Sequence, residues 1–301
     1  LMARRQVETL PPERYAALMA RGLYQPGRPE VQLEEGLCGL LGQGFAPRLW
    51  ESVLLPARVR NYRPALLDAL LAQGAYTWRI QPGERPLLTF YRASEVDYEA
   101  PYILPEEPLT EDEQLILNTL AQRGASFTHA LAPLLEGRPI LDMLLALMMR
   151  GLVSADSLVP LRQWLALEEG RKRPAKQVAR IRAAAQQAGR WERVRPLKAM
   201  DSGQCLLQDF AHVQILCRET VGGLPWPQAL EILKVWEYTG RVRRGYYISG
   251  LSGAQFILKE DYERVMAALR APGQGLQWLS AVDPLQPWGR ILPHEGEHSA
   301  F

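Results

Sequence analysis

Three arginines and two tyrosines near residue 245 combine the side-chain chemistries that bind nucleic acid. Arg241, Arg243 and Arg244 are followed, after one glycine, by Tyr246 and Tyr247. Guanidinium groups neutralise phosphates and release counterions, and an aromatic ring can stack on an unpaired base. Because successive residues of a strand face opposite sides, we expect one tyrosine of the pair in the core and one free. The three arginines and Tyr246 are therefore candidate nucleic-acid contacts.

A second group of candidate phosphate contacts lies before an apolar helix in the first third of the chain. Arg58, Arg60 and Arg63 occur within six residues, and Pro64 begins the helix that follows. An internal ion pair of Arg58 with the carboxylate of Asp68 or Glu51 is an alternative to DNA contact, and both interpretations stay open here.

A basic run follows between residues 171 and 198, where ten lysines and arginines meet a single acid, Glu192. Its candidates for phosphate contact are Arg171, Lys172, Arg173 and Arg190. A solvated linker has the same composition, so this segment is either a linker or a phosphate-binding surface.

One pattern typical of a zinc site occurs, at residues 294–298, where two histidines flank a glutamate. That pattern binds metal when a helix places both imidazoles on one face. Pro293 and Gly296 oppose a helix, and the sequence shows no third ligand. We therefore expect no metal site and no cofactor.

The elements that position these residues recur three times. Leu67, Leu144 and Leu233 each lie seven positions before a glycine, and strand-forming residues follow each glycine. The glycines are Gly74, Gly151 and Gly240. A glycine just past a helix takes the left-handed conformation that ends it, and a helix, a glycine and a β-ribbon form the second half of a winged helix. The pattern predicts a mainly α fold with small β-wings (α+β), built from tandem winged-helix domains.

Prolines, glycines and changes in charge along the chain give the expected domain bounds. We expect winged-helix domains at 1–100, 101–168 and 201–272, with a basic linker at 169–200 and a terminal segment at 273–301. The first domain is expected to open with a helix near residues 12–19 and to end in a hairpin of 76–80 with 87–91. Prolines between residues 101 and 108 mark a linker, and Thr110 with Glu113 forms a helix-capping pair.

Composition excludes several classes of protein. The chain has 301 residues, of which 47% are hydrophobic and 23% charged, as in an ordinary chain of two or three domains. Its longest apolar stretch, at 140–149, is too short to cross a bilayer, and the amino terminus lacks the pattern of a signal peptide. Three cysteines, an odd number without metal-ligand spacing, predict free thiols in the cytoplasm. The first residue, a leucine, suggests a piece of a longer polypeptide.

Several local motifs recur together in one known family. They are Leu55-Pro56-Ala57-Arg58-Val59 with Tyr62 and Leu67-Asp68, Asp156 with Pro160-Leu161-Arg162, Gly189-Arg190-Trp191, residues 240–246 with Gly253-Ala254-Gln255-Phe256, and Asp283-Pro284 with Pro287-Trp288-Gly289. These motifs follow one another in the family's order along nearly the whole chain. In them the sequence resembles the C-terminal, non-motor region of the large helicase-related (Lhr) superfamily 2 DNA helicases.

The resemblance implies tandem winged helices placed after the ATPase core of a DNA-repair helicase, with a small β-barrel beyond them. Residues 273–301 would then lead into a truncated barrel. No Gly-Lys-Ser/Thr phosphate loop occurs, so these residues do not hydrolyse ATP by the usual route. The implied function is a nucleic-acid-binding and assembly module. Its implied partners are single-stranded or forked DNA and the helicase motor of the same polypeptide, with no membrane.

Two alternatives belong to other functional classes. The winged-helix array also resembles the winged-helix DNA glycosylases, which excise damaged bases with a glutamine-containing motif near the first domain. Leu41 occupies the expected position of that glutamine, Gln43 lies two residues away, and Asp283 is the remaining candidate carboxylate. The array is also consistent with a protein–protein scaffold that forms a homo-oligomer, in which Met148, Met149 or Leu165 would supply contacts.

Overall fold

A computed structural model describes residues 9–23, 26–169, 189–271 and 279–292. The chain divides into two compact units, one formed by residues 26–198 and the other by residues 1–25 with 199–301. The helices are α1 (Pro12–Ala20), α2 (Pro29–Cys38), α3 (Pro64–Ala72), α4 (Glu111–Arg123), α5 (Thr128–Leu131), α6 (Ile140–Met149), α7 (Val159–Glu169), α8 (Ser202–Val213), α9 (Trp226–Tyr238) and α10 (Tyr262–Arg270). The strands are β1 (Tyr76–Gln81), β2 (Leu87–Arg92), β3 (Ser126–Phe127), β4 (Val153–Ala155), β5 (Arg190–Arg193), β6 (Val242–Gly245) and β7 (Gln255–Leu258).

The predicted helix–glycine–strand repeat is confirmed. Gly74, Gly151 and Gly240 follow α3, α6 and α9 and have φ angles of 76°, 70° and 75°. The leucines seven positions earlier are fully buried in all three copies. The mainly α architecture with small antiparallel β-wings follows from this repeated unit, because each buried leucine anchors a helix that the glycine ends before a strand.

The first part of unit 26–198 contains α2, a short helical segment at residues 47–54 that ends in a π-helical turn, α3 and the β1–β2 hairpin. The hairpin predicted at 76–80 and 87–91 is confirmed, with Trp78 opposite Phe90 in an antiparallel register. Trp50 is fully buried beneath it. Its indole Nε1 donates to the carbonyl of Leu88 at 2.9 Å, and its ring meets Phe90 edge to face with centroids 4.6 Å apart. This tryptophan fixes the hairpin on the helical layer.

The second part of unit 26–198 is built around an antiparallel sheet of order β3-β5-β4. The predicted capping pair at the start of α4 is confirmed, since Thr110 Oγ1 accepts from the backbone N–H of Glu113 at 3.3 Å and the Glu113 carboxylate accepts from that of Thr110 at 2.9 Å. The central strand β5 lies beyond residue 168, within the predicted basic linker. Trp191 explains this difference because it is fully buried and its Nε1 donates to Thr128 Oγ1 at 2.9 Å.

The proline-marked segment near residue 100 packs along the chain that follows β5. The backbone N–H of Asp97 donates to the carbonyl of Pro196 at 2.9 Å, and that of Ile103 donates to the carbonyl of Val194 at 3.1 Å. Val96 and Leu197 form an isolated antiparallel bridge. Residues predicted as two separate linkers therefore lie side by side, because each supplies the other's backbone hydrogen bonds.

The other compact unit contains α8, α9, the β6–β7 hairpin and α10, together with α1. The helix predicted near residues 12–19 forms as α1, but it packs in this unit rather than opening the first winged helix. Tyr15 is fully buried among Val265, Leu269 and their neighbours, and its hydroxyl donates to the carbonyl of Val213 at 3.1 Å. Apolar periodicity predicts a helix but not the surface on which it packs.

The helices within the described residues are too short or too polar to cross a membrane.

Candidate nucleic-acid interface

The β6–β7 hairpin presents Arg243 and Arg244 on an exposed edge of its unit. Val242 is buried opposite Leu258, whereas both arginines are exposed. The guanidinium carbon of Arg243 lies 4.1 Å from the ring centroid of Tyr262. Arg244 Nη1 lies 3.7 Å from a carboxylate oxygen of Glu237 in α9. The two neighbouring arginines therefore extend toward different helices, as alternation along a strand requires.

Arg241 completes this set of cations just before β6. Its guanidinium carbon lies 4.0 Å from the ring centroid of Trp236, which is 8% exposed. Arg243 Nη1 lies 3.9 Å from a carboxylate oxygen of Glu263. Exposed ion pairs of this length contribute at most about 1 kcal/mol, so a phosphate can compete for these guanidinium groups.

The two hairpin tyrosines differ in exposure, as predicted. Tyr247 is 2% exposed and Tyr246 is 58% exposed, so Tyr246 is the free ring. Burial raises the pKa of Tyr247 above its ordinary value. The backbone N–H groups of Tyr247 and Ile248 both donate to Gln255 Oε1 at 2.8 Å. The fully buried Gln255 therefore holds the hairpin tip, a role that sequence reasoning did not assign to it.

Helix α9 exposes a face that sequence reasoning did not single out. Tyr238 is 93% exposed and Val235 is 60% exposed. On the same helix Lys234 Nζ lies 2.7 Å from a carboxylate oxygen of Glu231. This face offers an aromatic ring and one ion pair, whereas the exposed arginines of the hairpin carry, among the described residues, no such close partner charge at hydrogen-bond distance.

Arg58 does not occupy the surface position expected of a DNA contact. It is 3% exposed and its Nη1 donates to the carbonyl of Leu54 at 2.8 Å, while its side chain packs against Gly36. The guanidinium of Arg58 therefore lies in the interior, where it is not accessible to a DNA phosphate. Arg60 and Arg63 are exposed, and the backbone N–H of Arg60 donates to Gln32 Oε1 at 2.9 Å.

The carboxylates of Glu51 and Asp68 are both bound by Arg162. Arg162 Nε and Nη2 donate to the two oxygens of Glu51 at 2.7 and 2.9 Å, and Nη1 donates to Asp68 at 2.6 Å. Burial alone would lower the pKa of Arg162, but the hydrogen bonds to Glu51 and Asp68 hold it above its ordinary value. Tyr62 adds a hydroxyl that donates to Glu51 at 2.6 Å. Three residues from the sequence motifs, Tyr62, Asp68 and Arg162, thus form one structural ion cluster with Glu51.

Of the candidate phosphate contacts in the basic run, Arg190 lies within the residues that the structure describes. Arg190 is exposed, and its Nε donates to Asp156 Oδ2 at 2.9 Å while its backbone N–H donates to Oδ1 at 2.7 Å. The hydrogen bond and charge of Asp156 raise the pKa of Arg190. Arg171, Lys172 and Arg173 lie outside the described residues.

The two candidate catalytic residues belong to different compact units. Gln43 is partly exposed, and its Nε2 donates to the carbonyl of Gly39 at 3.3 Å. Asp283 is 2% exposed, and its Oδ1 accepts from the backbone N–H of Leu285 at 2.9 Å, as expected of a residue that caps a turn before Pro284. The histidine pattern at 294–298 lies outside the described residues, which contain no cluster of metal-ligating side chains.

Cys217 is buried in the core of its unit and is expected to be chemically inert. Burial raises its pKa to about 12, and its thiol donates to Glu219 Oε2 at 3.1 Å. Because the thiolate is the reactive form, we expect a thiol reagent at pH 8 to modify the partly exposed Cys38 and Cys205 while sparing Cys217 until the protein is unfolded. Peptide mass spectrometry after timed labelling measures this order, and early modification of Cys217 would contradict it.

Comparison with known proteins agrees with the winged-helix geometry of both units. Residues 17–92 and 197–277 match two family models, both described as a winged-helix domain of the large helicase-related protein, the third and the fourth such domain respectively. The chain belongs to the large helicase-related (Lhr) family. The match at 197–277 includes the whole β6–β7 hairpin and helix α9, so the candidate arginines lie on an Lhr winged helix.

Two curated Lhr proteins match most of the chain. The "Lhr helicase/uracil glycosylase" of Escherichia coli is 30% identical, over 84% of this chain and 19% of that protein. The "Lhr helicase/ probable uracil glycosylase" of Mycolicibacterium smegmatis is 29% identical, over 80% of this chain and 18% of that protein. The chain therefore spans about a fifth of the length of these Lhr relatives.

Proposed function

We propose that this chain is a nucleic-acid-binding and assembly module of a DNA-repair helicase, and that it contacts DNA phosphates through the β6–β7 hairpin. The observation that carries the proposal is the exposure of Arg241, Arg243 and Arg244 together on one Lhr winged helix. The motor region of the same polypeptide is the proposed partner in cis, and single-stranded or forked DNA is the proposed ligand.

The chemistry of the hairpin supports this assignment. Each arginine that neutralises a phosphate releases condensed counterions, so binding should depend steeply on salt. Tyr246 supplies an exposed ring within the same hairpin, where an unpaired base can stack. Arg60, Arg63 and Arg190 are exposed cations of the other unit and remain proposed secondary contacts.

The test is fluorescence anisotropy of a labelled forked DNA at about 50 and 200 mM salt, the range over which phosphate contacts lose affinity. Changing Arg241, Arg243 and Arg244 together to alanine is expected to weaken binding about tenfold and to reduce the salt slope by up to about three, since each phosphate contact contributes about one. Tyr246→Ala should weaken binding to the single-stranded arm more than to a duplex.

A charge-matched control separates local contact from net charge. Arg218, Arg264 and Arg270 are exposed in the same unit, and their joint change to alanine removes the same charge from outside the hairpin. The proposal predicts a clearly smaller effect for this control. Equal weakening by both triple variants, or absence of binding at low salt, would overturn the hairpin assignment. The second outcome would favour a homo-oligomeric scaffold, which size-exclusion chromatography with light scattering detects.

Base excision is a second candidate function because the names of both curated relatives include uracil glycosylase. Gln43 is partly exposed, whereas Asp283 is buried in a turn. The assay is strand cleavage of a uracil-containing oligonucleotide after alkali treatment, with Gln43→Ala and Asp283→Asn compared with the parent chain. Excision lost in either variant, with thermal unfolding unchanged, would assign that residue to the reaction.

A further inference from the structure

Unit 26–198 contains a polar pocket that lies outside the β6–β7 hairpin and its unit. The cavity has a volume of about 220 Å³. Strand β1, the carboxyl end of α4 and the paired segments near residues 98 and 194 form its walls. The side chains that line it include those of Trp78, Arg79, Tyr98, Tyr102, Arg193 and Arg195. Binding pockets for drug-sized molecules are about 300–1,000 Å³, so this one suits a smaller polar group.

The walls of the pocket carry a surplus of positive charge. Burial lowers the pKa of Arg79 and of Arg193, and the neighbouring charge of Arg195 lowers that of Arg193 further. Among the described residues, no carboxylate forms a salt bridge with any of these three arginines. Glu192 also lines the pocket, and its charge acts on Arg79 without direct pairing. Three cations and one anion leave a net positive pocket, which favours an anionic ligand.

Two of the arginines are held in place by one aromatic ring. The guanidinium carbons of Arg193 and Arg195 lie 4.7 and 3.9 Å from the ring centroid of Tyr102. Arg195 Nη1 also donates to the carbonyl of Ala100 at 2.6 Å. Cation–π contacts keep the two like charges close together, although they repel each other.

Arg193 Nε is buried and has no hydrogen-bond partner within the described part of the chain. An anion bound here would relieve both the repulsion and the lack of compensating negative charge.

An exposed ring on the pocket wall narrows the class of anion. Tyr98 lines the pocket but is 62% exposed. It therefore offers a planar surface to a ligand that extends out of the cavity. A group with a compact anion and a flat ring beside it matches this arrangement, and a nucleotide has both features.

We propose that this pocket binds the phosphate of an unpaired nucleotide between Arg79, Arg193 and Arg195, with the base against Tyr98. The proposal rests on the proposed nucleic-acid function, but it adds a contact in the compact unit that does not contain the hairpin. The nucleotide comes either from a DNA strand or from a free mononucleotide, and the experiment distinguishes these sources.

The experiment measures anisotropy of a labelled oligothymidylate and of a fully paired duplex with the whole chain. Tyr98→Ala is expected to weaken oligothymidylate binding about fivefold, in keeping with loss of one stacked base, and to leave duplex binding unchanged. Tyr98→Phe should retain the parent affinity. Leu104→Ala is the matched control, because Leu104 is 78% exposed and follows Tyr98 in the same segment.

A double change, Arg79→Gln with Arg193→Gln, tests the phosphate contact. We expect about tenfold weaker oligothymidylate binding and a salt slope lower by about one to two. Displacement of the oligonucleotide by thymidine 5′-monophosphate, itself abolished by the double change, would identify a free nucleotide as the ligand. Loss of oligonucleotide binding without displacement by the mononucleotide would identify a nucleotide within a strand.

Failure of this proposal is distinguishable from failure of the proposed function. Unchanged oligothymidylate binding in both Tyr98→Ala and the arginine double variant, with the hairpin triple variant still impaired, would overturn the pocket and leave the hairpin in place. Because Tyr98 is largely exposed, its change to alanine tests the pocket even if the arginine double variant fails to fold.

Discussion

Changing Arg162 to alanine is expected to lower the free energy of unfolding of unit 26–198 by about 3 kcal/mol, because removal of one partner leaves partly buried charges uncompensated. Its guanidinium binds Glu51 and Asp68, and all three side chains are only about one-fifth exposed. The change would remove the cation that these two carboxylates share. The backbone N–H of Leu158 and the hydroxyl of Tyr62, which also donate to these carboxylates, cannot replace the lost charge.

Amide hydrogen exchange of the whole chain measures this effect. Peptides from β1 and α3 should lose protection in Arg162→Ala, whereas peptides from α8 and α9 serve as an internal reference in the other compact unit. Arg264→Ala is the matched control, since it breaks an exposed ion pair with Asp261 and should cost less than about 1 kcal/mol. Similar losses in the two variants would show that the Arg162 cluster contributes no more than a surface pair.

Gly151→Ala is expected to destabilise the same unit by about 3 kcal/mol, through two separate costs. Gly151 has a φ of 70°, a conformation that costs an alanine about 1 kcal/mol or more. A Cβ atom added here would also lie 2.7 Å from the carbonyl oxygen of Ile80. That oxygen belongs to strand β1, so the backbone of the hairpin would have to move.

The repeated fold provides the control for this prediction. Gly74 has a φ of 76°, and a Cβ atom added to it would meet nothing within 4 Å. Gly74→Ala should therefore carry only the conformational cost of about 1 kcal/mol. Urea unfolding followed by tryptophan fluorescence, with exchange protection of β1 as the local probe, compares the two variants. Equal destabilisation would show that the close approach to Ile80 costs nothing.

Features that depend on neighbouring residues were predictable from the sequence. The repeat, the β1–β2 hairpin and the cap formed by Thr110 each arise from interactions a few residues apart, and all three are confirmed. Alternation along a strand also predicted that one hairpin tyrosine would be buried. It could not decide which one, because that depends on the packing of Tyr247 against Tyr262 in α10.

Features that depend on distant residues were not predictable in the same way. Arg58 and Arg162 are both arginines near apolar segments, and only the folded structure places Arg162 on Glu51, which lies 111 residues away in sequence. Likewise, the pocket arginines Arg79 and Arg193 lie far apart in the sequence, on strands β1 and β5. The exposure of Tyr238 could not be predicted from the sequence either, because a helical tyrosine is as compatible with the core as with the surface.

The order of the strands in the β3-β5-β4 sheet has a consequence for biosynthesis. The outer strands are translated first, and the central strand that must join them is completed 38 residues after β4 ends. At typical rates of about 5–20 residues per second, that interval lasts about 2–8 s. During it the nascent chain carries two unpaired strand edges, which are templates for pairing with other chains. The earliest time at which this sheet can close is therefore set by the rate of translation rather than by the pairing of its strands.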